Sequence, residues 1–232
     1  ARDDRPATTG AHTARTARNF PRTSRGFPGI MPSPMNTGLK PPPNGGKNGG
    51  QKRGGEGAPA APRIILLTGD GKGKTTCALG MALRAAGNGL RVCLIHFIKQ
   101  RQDVGEAAAW RRFPEVEVHF CGRGFVHRPD ARKMAEHRAA AARGLELAAE
   151  RMRAPETGMV VLDEICGAVA LGLIERERLL ALLRQARPGL IVVLTGRDAC
   201  PQLVEMADTV SHIRCLKHGL EAGWPAQRGV EL

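Results

Sequence analysis

From residue 63 onward, short apolar runs alternate with segments of helical composition. Apolar runs without alternation are typical of strands buried on both faces, and the segments between them fit amphipathic helices. The predicted strands are 63–68, 91–98, 116–120, 159–162, 190–194 and 209–216. The predicted helices are 75–86, 104–112, 131–153, 175–186 and 200–207. The pattern therefore predicts an α/β fold, with a mostly parallel sheet and helices on both faces.

Residues 1–62 do not share this pattern. They are rich in Gly, Pro, Arg and Asn and contain few large apolar side chains, so they cannot bury enough surface to offset the entropy of ordering. The segment is predicted to be a disordered basic tail, and 63–232 to be the folded domain. The formal net charge is +13, of which +7 lies in the tail. A basic chain favours polyanionic partners, but charge on a solvated tail is weak support for a nucleic-acid groove.

Composition narrows the classes of function further. Aromatic residues make up only 3% of the chain, so the side chains that stack on single-stranded nucleic acid are scarce. No two of the six cysteines have C-x-x-C spacing, which predicts no zinc site and suits a reducing compartment. No apolar run reaches the roughly 18 residues of a membrane span, and no secretory signal precedes the domain. A cytoplasmic protein is expected.

A glycine-rich loop follows the first predicted strand and leads into a helix. Glycines allow backbone amides to approach a polyanion, and the start of a helix favours negative charge. Lys74 supplies a cation and Thr75 a hydroxyl for Mg²⁺, as in the P-loop of nucleotide-binding proteins. The usual spacing would put the first glycine at Thr68, so this loop is one residue shorter; a glycine turn without a ligand is the alternative. The candidate phosphate-binding residues are Gly69, Asp70, Gly71, Lys72, Gly73, Lys74, Thr75 and Thr76.

Polar residues follow three other predicted strands. Asp163 and Glu164 come directly after strand 159–162 and could hold Mg²⁺, although acidic residues are also common at helix starts. Lys99 and Arg197 follow two more strands and are either contacts to the nucleotide or surface cations. Because ligands of parallel sheets bind at the carboxyl ends of the strands, these side chains are expected to converge on the glycine loop.

The chain resembles the P-loop type of ATP:corrinoid adenosyltransferase over about residues 63–232. The similarity begins with Thr-Gly-Asp-Gly-Lys-Gly-Lys-Thr-Thr at 68–76, and the shortened loop is itself a trait of that family. It continues with Phe-Ile-Lys at 97–99, Gly-Phe at 124–125, Val-Leu-Asp-Glu at 161–164, Arg-Pro-Gly at 187–189 and Leu-Thr-Gly-Arg at 194–197. The C-terminal block resembles the family at 207–210, 217–218, 222–223 and 226–227.

The resemblance implies a P-loop NTPase fold of RecA-like type and a reaction in which a Co(I) corrinoid attacks the 5′ carbon of ATP. Tripolyphosphate leaves, and the product belongs to adenosylcobalamin biosynthesis or salvage. The substrates implied are MgATP, with Mg²⁺ or Mn²⁺, and a reduced corrinoid. Lys72, Lys74 and Arg197 are then candidates for stabilising charge on the triphosphate. Thr75, Asp163 and Glu164 are candidates for placing the metal ion.

On the corrinoid side, the resemblance assigns Phe125 to the apolar surface that displaces the lower axial ligand of cobalt. His127 stands where some relatives have Trp, and it packs beside the corrin, ligates the cobalt or points to solvent. A reduced flavoprotein as electron donor and a homodimer are further expectations from the family. Three alternatives remain open from the residues: a RecA-like ATPase acting on nucleic acid, a small-molecule kinase, and a protein that binds MgATP without turnover.

Overall fold

The computed structural model of the chain describes residues 61–100, 105–124 and 130–230. The strands are β1 (Arg63–Thr68), β2 (Arg91–His96), β3 (Val116–Phe120), β4 (Thr157–Asp163), β5 (Ile191–Thr195) and β6 (Thr209–His212). The helices are α1 (Lys74–Gly87), α2 (Gly105–Trp110), α3 (Ala131–Arg153), α4 (Ile165–Ala170), α5 (Arg176–Arg184) and α6 (Pro201–Met206), followed by a 3₁₀ turn at Gly219–Ala222. The predicted tail lies outside the described residues except for positions 61 and 62.

The six strands form one sheet in the order β3-β2-β4-β5-β1-β6. Every adjacent pair is parallel. This confirms the α/β fold expected from the sequence. The order places β5 between β1, which leads into the glycine loop, and β4, which ends at Asp163. The carboxyl ends of β1, β2, β4 and β5 therefore meet at one edge.

Two apolar layers lie on opposite faces of the sheet, because successive strand residues point in opposite directions. On one face, strand residues such as Ile95, Val160 and Leu194 pack with buried residues of α3 and α5. On the other, Leu94 and Val161 pack with the alanines of α1 and with Trp110. Both faces of the four central strands are covered, so these strands are apolar almost throughout.

The structure differs from the predicted elements at several boundaries. Helix α4 was not predicted; it is six residues long and starts directly after β4 without a side-chain cap, so no start signal marks it. The predicted strand 91–98 ends at His96, although Phe97 and Ile98 remain buried. The predicted strand 209–216 ends at His212, and all four residues of β6 are exposed because it is an edge strand.

The helix starts show two kinds of local chemistry. Asp130 caps α3 by accepting a hydrogen bond from the Lys133 amide at 2.8 Å, as expected for an N-cap carboxylate. In contrast, α1 and α4 follow residues in the left-handed conformation, Gly73 and Glu164. Both of these starts lie at the carboxyl edge of the sheet. Within the described ranges, none of the helices combines the length and apolarity that crossing a membrane requires.

Candidate active site

The glycine loop joins β1 to α1, as predicted. Gly69 and Gly73 have φ angles of 102° and 118°, which residues with a Cβ rarely adopt. A Cβ on Gly73 would meet no atom within 4 Å, so glycine is needed there for the backbone conformation alone. That conformation turns the chain into α1 and places the helix start at the loop, an arrangement that favours anions.

Gly69 and Gly71 are needed for a second reason, because the chain after β6 lies against them. A Cβ on Gly69 would overlap the Ile213 carbonyl, and one on Gly71 would lie 2.7 Å from the Arg214 carbonyl. The Gly71 N–H donates to the Ile213 oxygen at 2.8 Å. The sequence predicts that the amides of this loop bind phosphate, but the Gly71 amide donates to the Ile213 carbonyl instead.

Lys74 is the cation at the centre of the loop. Its side chain is buried, with 6% exposure, and Nζ donates to the carbonyls of Gly69 at 2.7 Å and Gly71 at 2.9 Å. Burial lowers the pKa of Lys74; the nearby Arg197 lowers it further, while the Glu164 carboxylate opposes the shift. The loop thus holds an ammonium group where the phosphates of a nucleotide would meet the helix start.

Asp163 is the centre of a buried hydrogen-bond network. Its Oδ1 accepts from the hydroxyls of Thr75 and Thr195, both at 2.8 Å. Its Oδ2 lies 2.7 Å from Nδ1 of His96. Burial alone would raise the pKa of Asp163, but the hydrogen bond and charge of His96, with Lys99 and Thr195, hold it below its usual value. The carboxylate therefore ties together α1, β2, β4 and β5.

Glu164 follows Asp163 in the left-handed conformation, with φ of 60°. Its N–H donates to the Thr195 hydroxyl at 2.8 Å, which helps to hold this uncommon geometry. The side chain makes no capping bond and faces the cavity above the loop. Burial raises the pKa of Glu164, and the negative charge of Asp163 raises it further. A cation beside Glu164 would relieve both effects.

A cavity of about 880 Å³ opens above the glycine loop. The sequence-predicted residues that line it are Asp70, Gly71, Lys72, Gly73, Lys74, Thr75, Thr76, Lys99, Glu164 and Arg197. The structure thus brings together residues that follow four different strands. Asp163 is fully buried behind Thr75 rather than on the cavity surface. Phe125 and His127, the predicted corrinoid contacts, lie outside the described residues.

Two of the predicted residues make contacts that the sequence did not indicate. The Lys72 ammonium donates to the Val230 carbonyl at 2.8 Å. The Asp70 carboxylate accepts from the Cys215 amide at 3.2 Å, and this bond is the main cause of the lowered pKa of Asp70. Asp70 therefore helps to hold the C-terminal segment beside the loop.

Three residues of this region have no role predicted from the sequence. His96 lies within the predicted strand 91–98 and Thr195 directly after the predicted strand 190–194; in the structure they are the last residues of β2 and β5. Glu106 in α2 pairs with Lys99 at 2.9 Å, so the Lys99 ammonium is placed by a carboxylate within the cavity wall. A polar residue at the carboxyl end of a buried parallel strand was the available signal for His96 and Thr195.

A second group of possible metal ligands lies away from the cavity, on β2 and β3. Atoms of Cys93, Glu117 and His119 lie within 4.8 Å of one another. Arg151 already pairs with the Glu117 carboxylate. Burial raises the pKa of the Cys93 thiol, and Glu117 raises it further by accepting the thiol proton in a hydrogen bond. The Glu117 carboxylate is therefore already engaged by Arg151 and by the Cys93 thiol, which keeps its proton, while Nε2 of His119 makes no hydrogen bond to any described residue.

Comparison with known proteins gives a family match over most of the chain. A sequence model described as ATP:corrinoid adenosyltransferase BtuR/CobO/CobP matches residues 60–232. The corrinoid adenosyltransferase of Pseudomonas aeruginosa is 43% identical over 170 residues, covering 72% of this chain and 82% of the relative. Corrinoid adenosyltransferase CobA of Salmonella typhimurium is 39% identical over 173 residues, covering 72% of this chain and 84% of the relative.

Among solved structures, the flagellar accessory protein FlaH of Methanocaldococcus jannaschii aligns with a TM-score of 0.45 and 13% identity. That alignment covers 68% of this chain and 73% of FlaH.

Proposed function

Since the chain belongs to the ATP:corrinoid adenosyltransferase family BtuR/CobO/CobP, it is an enzyme that adenosylates corrinoids, and we propose that the cavity above the glycine loop is where ATP reacts. The observation that carries the assignment is the buried Lys74 ammonium inside a strand–loop–helix turn, with Thr75 bonded to Asp163 and Glu164 facing the same space. This is the arrangement that a P-loop uses for a triphosphate and its metal ion.

In the proposed reaction, the electron pair of a Co(I) corrinoid forms a bond to the 5′ carbon of ATP. The bond from that carbon to the triphosphate oxygen breaks, and tripolyphosphate leaves with its electron pair. The attacking atom belongs to the corrinoid substrate, so the protein supplies position and charge rather than a nucleophile. Negative charge grows on the leaving triphosphate, and this is the charge that the loop has to stabilise.

Lys74 and the start of α1 are the main groups assigned to that charge. The two hydrogen bonds that Nζ makes to loop carbonyls would be exchanged for bonds to phosphate oxygens, which are stronger acceptors. Lys72 and Arg197 line the same cavity and are assigned to the outer phosphates, with the Thr76 hydroxyl beside them. Gly69 serves by its conformation and its contact with the chain after β6.

Mg²⁺, or Mn²⁺, is assigned to the space between Thr75 and Glu164. The donor set fits a hard cation, because it consists of a hydroxyl and carboxylate oxygens and leaves room for phosphate and water. The raised pKa of Glu164 supports the assignment, since a cation would stabilise its charged form. Asp163 acts through Thr75, whose hydroxyl donates a hydrogen bond to the Asp163 carboxylate. When bound, the ion neutralises part of the triphosphate charge.

The remaining assignments rest on the family and on the cavity wall. Lys99, fixed by Glu106, is assigned to the nucleotide. Phe125 and His127 are assigned to the corrinoid, which is either complete cobalamin or a biosynthetic precursor. A reduced flavoprotein as electron donor, a homodimer and a cytoplasmic location complete the proposal. A RecA-like ATPase acting on nucleic acid is not favoured, because the curated relatives are corrinoid adenosyltransferases.

The test is an anaerobic assay with MgATP and chemically reduced Co(I) cobalamin. We expect a light-sensitive cobalt–carbon bond in the spectrum and tripolyphosphate in the supernatant. Lys74→Ala should lower product formation by about 100-fold or more, the usual effect of removing one charge-stabilising donor. Arg153→Ala is the matched control, since Arg153 is exposed at the end of α3, on the other edge of the sheet. ADP and phosphate in place of tripolyphosphate would show an ATPase or kinase.

A further inference from the structure

We propose that His96 is a positioning residue of the metal site: it fixes the Asp163 carboxylate, which in turn orients Thr75 toward the ion. The proposal rests on the proposed function, because the site for Mg²⁺ between Thr75 and Glu164 is part of it. His96 itself lies outside the cavity wall and is fully buried. Its role is therefore carried through another residue rather than by contact with ATP.

The placement of His96 follows from the sheet register. In the parallel pairing of β2 with β4, His96 is directly opposite Asp163, and both are the last residues of their strands. The imidazole also stacks on the Phe120 ring, with centroids 4.7 Å apart and planes inclined by 17°. Phe120 ends β3, so three neighbouring strands fix the position and plane of the imidazole.

The direction of the hydrogen bond between His96 and Asp163 follows from the charges. A carboxyl group is a stronger acid than an imidazolium ion, so in this pair Asp163 is the carboxylate and accepts the hydrogen bond. Nδ1 of His96 must therefore carry the hydrogen of this bond. Nε2 is buried and makes no hydrogen bond to any residue that the structure describes. A buried polar atom without a partner costs stability, so the residue is not explained by packing alone.

The bond to His96 decides how the Asp163 carboxylate is used. Oδ2 is taken by His96, which leaves Oδ1 for the two hydroxyls of Thr75 and Thr195. With both oxygens occupied, the carboxylate cannot rotate, and the lone pairs of the Thr75 oxygen are held in one direction. Without His96, Oδ2 would be a buried charged atom lacking a donor. The carboxylate would then rotate so that Oδ2 could accept from the hydroxyls of Thr75 and Thr195.

The first test compares three variants in their Mg²⁺ requirement. His96→Leu removes the donor, His96→Asn keeps an N–H donor at about the place of Nδ1, and Phe120→Leu removes the stacking partner but leaves the hydrogen bond. Half-saturating Mg²⁺ is measured at fixed ATP by calorimetry and by product formation, and ATP affinity is measured separately without metal. Mutation of a residue that hydrogen-bonds to a metal ligand typically lowers metal affinity or activity by about 10–100-fold.

We expect the half-saturating Mg²⁺ concentration of His96→Leu to rise by about 10-fold or more, with metal-free ATP affinity unchanged. His96→Asn and Phe120→Leu should stay within about 3-fold of wild type. Equal Mg²⁺ requirements in wild type and His96→Leu would overturn the proposal. The proposal would also be overturned if His96→Leu and His96→Asn raised the Mg²⁺ requirement equally, or if His96→Leu lost metal-free ATP affinity to the same extent. Either result indicates a packing role for His96.

The second test needs no variant that could misfold. Nitrogen NMR of the wild-type imidazole should show the hydrogen on Nδ1 of His96, and this signal should shift when MgATP is added but not with ATP alone. An Nδ1 without a hydrogen would contradict the proposal directly. A wild-type protein that binds ATP and forms product equally well without divalent cation would instead refute the metal site, a result distinct from either outcome for His96.

Discussion

Replacing Thr195 by Val removes a hydroxyl that makes two hydrogen bonds, while keeping the shape of the side chain. Thr195 is fully buried, donates to Asp163 Oδ1 and accepts from the Glu164 amide, both at 2.8 Å. Hydrogen bonds to charged groups contribute about 1.5–3 kcal/mol, and neutral ones about 0.5–1.5 kcal/mol. Because Val leaves no cavity, the loss is set by these two bonds. We expect Thr195→Val to lower the free energy of unfolding by about 2–4 kcal/mol.

The measurement is urea unfolding of the metal-free protein, followed by circular dichroism, for wild type and two variants. Thr209→Val is the matched control: Thr209 is an exposed strand residue of β6, so its free energy of unfolding should change by less than about 0.5 kcal/mol. A loss below about 1 kcal/mol for Thr195→Val would refute the reasoning. It would mean that water or a rearranged Asp163 replaces both bonds at little cost.

Gly69→Ala should destabilise the protein by more than about 2 kcal/mol, because its Cβ would overlap the Ile213 carbonyl and its φ is 102°. Gly80→Ala, in α1 with open space for a Cβ, should instead stabilise it by about 0.5–1 kcal/mol; denaturant midpoints test both. Glu164→Gln should be more stable than wild type at neutral pH without metal. Burial and the charge of Asp163 raise the pKa of Glu164 in the folded protein. As pH rises, this carboxyl therefore ionises at a lower pH in the unfolded chain than in the folded one. Wild type loses stability as pH rises through the folded pKa. The difference should vanish below about pH 4, and a constant difference in urea titrations across pH would contradict this.

The parts of the site that the sequence predicted well are contiguous along the chain. The segment from Gly69 to Thr76 comprises the loop between β1 and α1 and the first residues of α1, so its conformation follows from nearby residues. Asp163 and Glu164 could be placed at the same edge because they end an apolar run, and parallel strands share their carboxyl edge.

The parts that could not be predicted depend on which strands are neighbours. The bond from His96 to Asp163 exists because β2 pairs with β4 in one register, and Thr195 reaches Asp163 because β5 is on the other side. Neither adjacency is encoded within a window of sequence. For the same reason the packing role of Gly71 was missed, since Ile213 is 142 residues away along the chain.

The bond between Gly71 and Ile213 links the glycine loop to the segment after β6, the most exposed of the six strands. All four residues of β6 are exposed, and the chain continues from it to Ile213 and Arg214. Exposed edge segments open locally at low free energy, well below that of global unfolding. Each such opening would release the Gly71 amide, so amide hydrogen exchange at Gly71 should follow the fraying of β6. The rigidity of the glycine loop is thus limited by a strand on the surface.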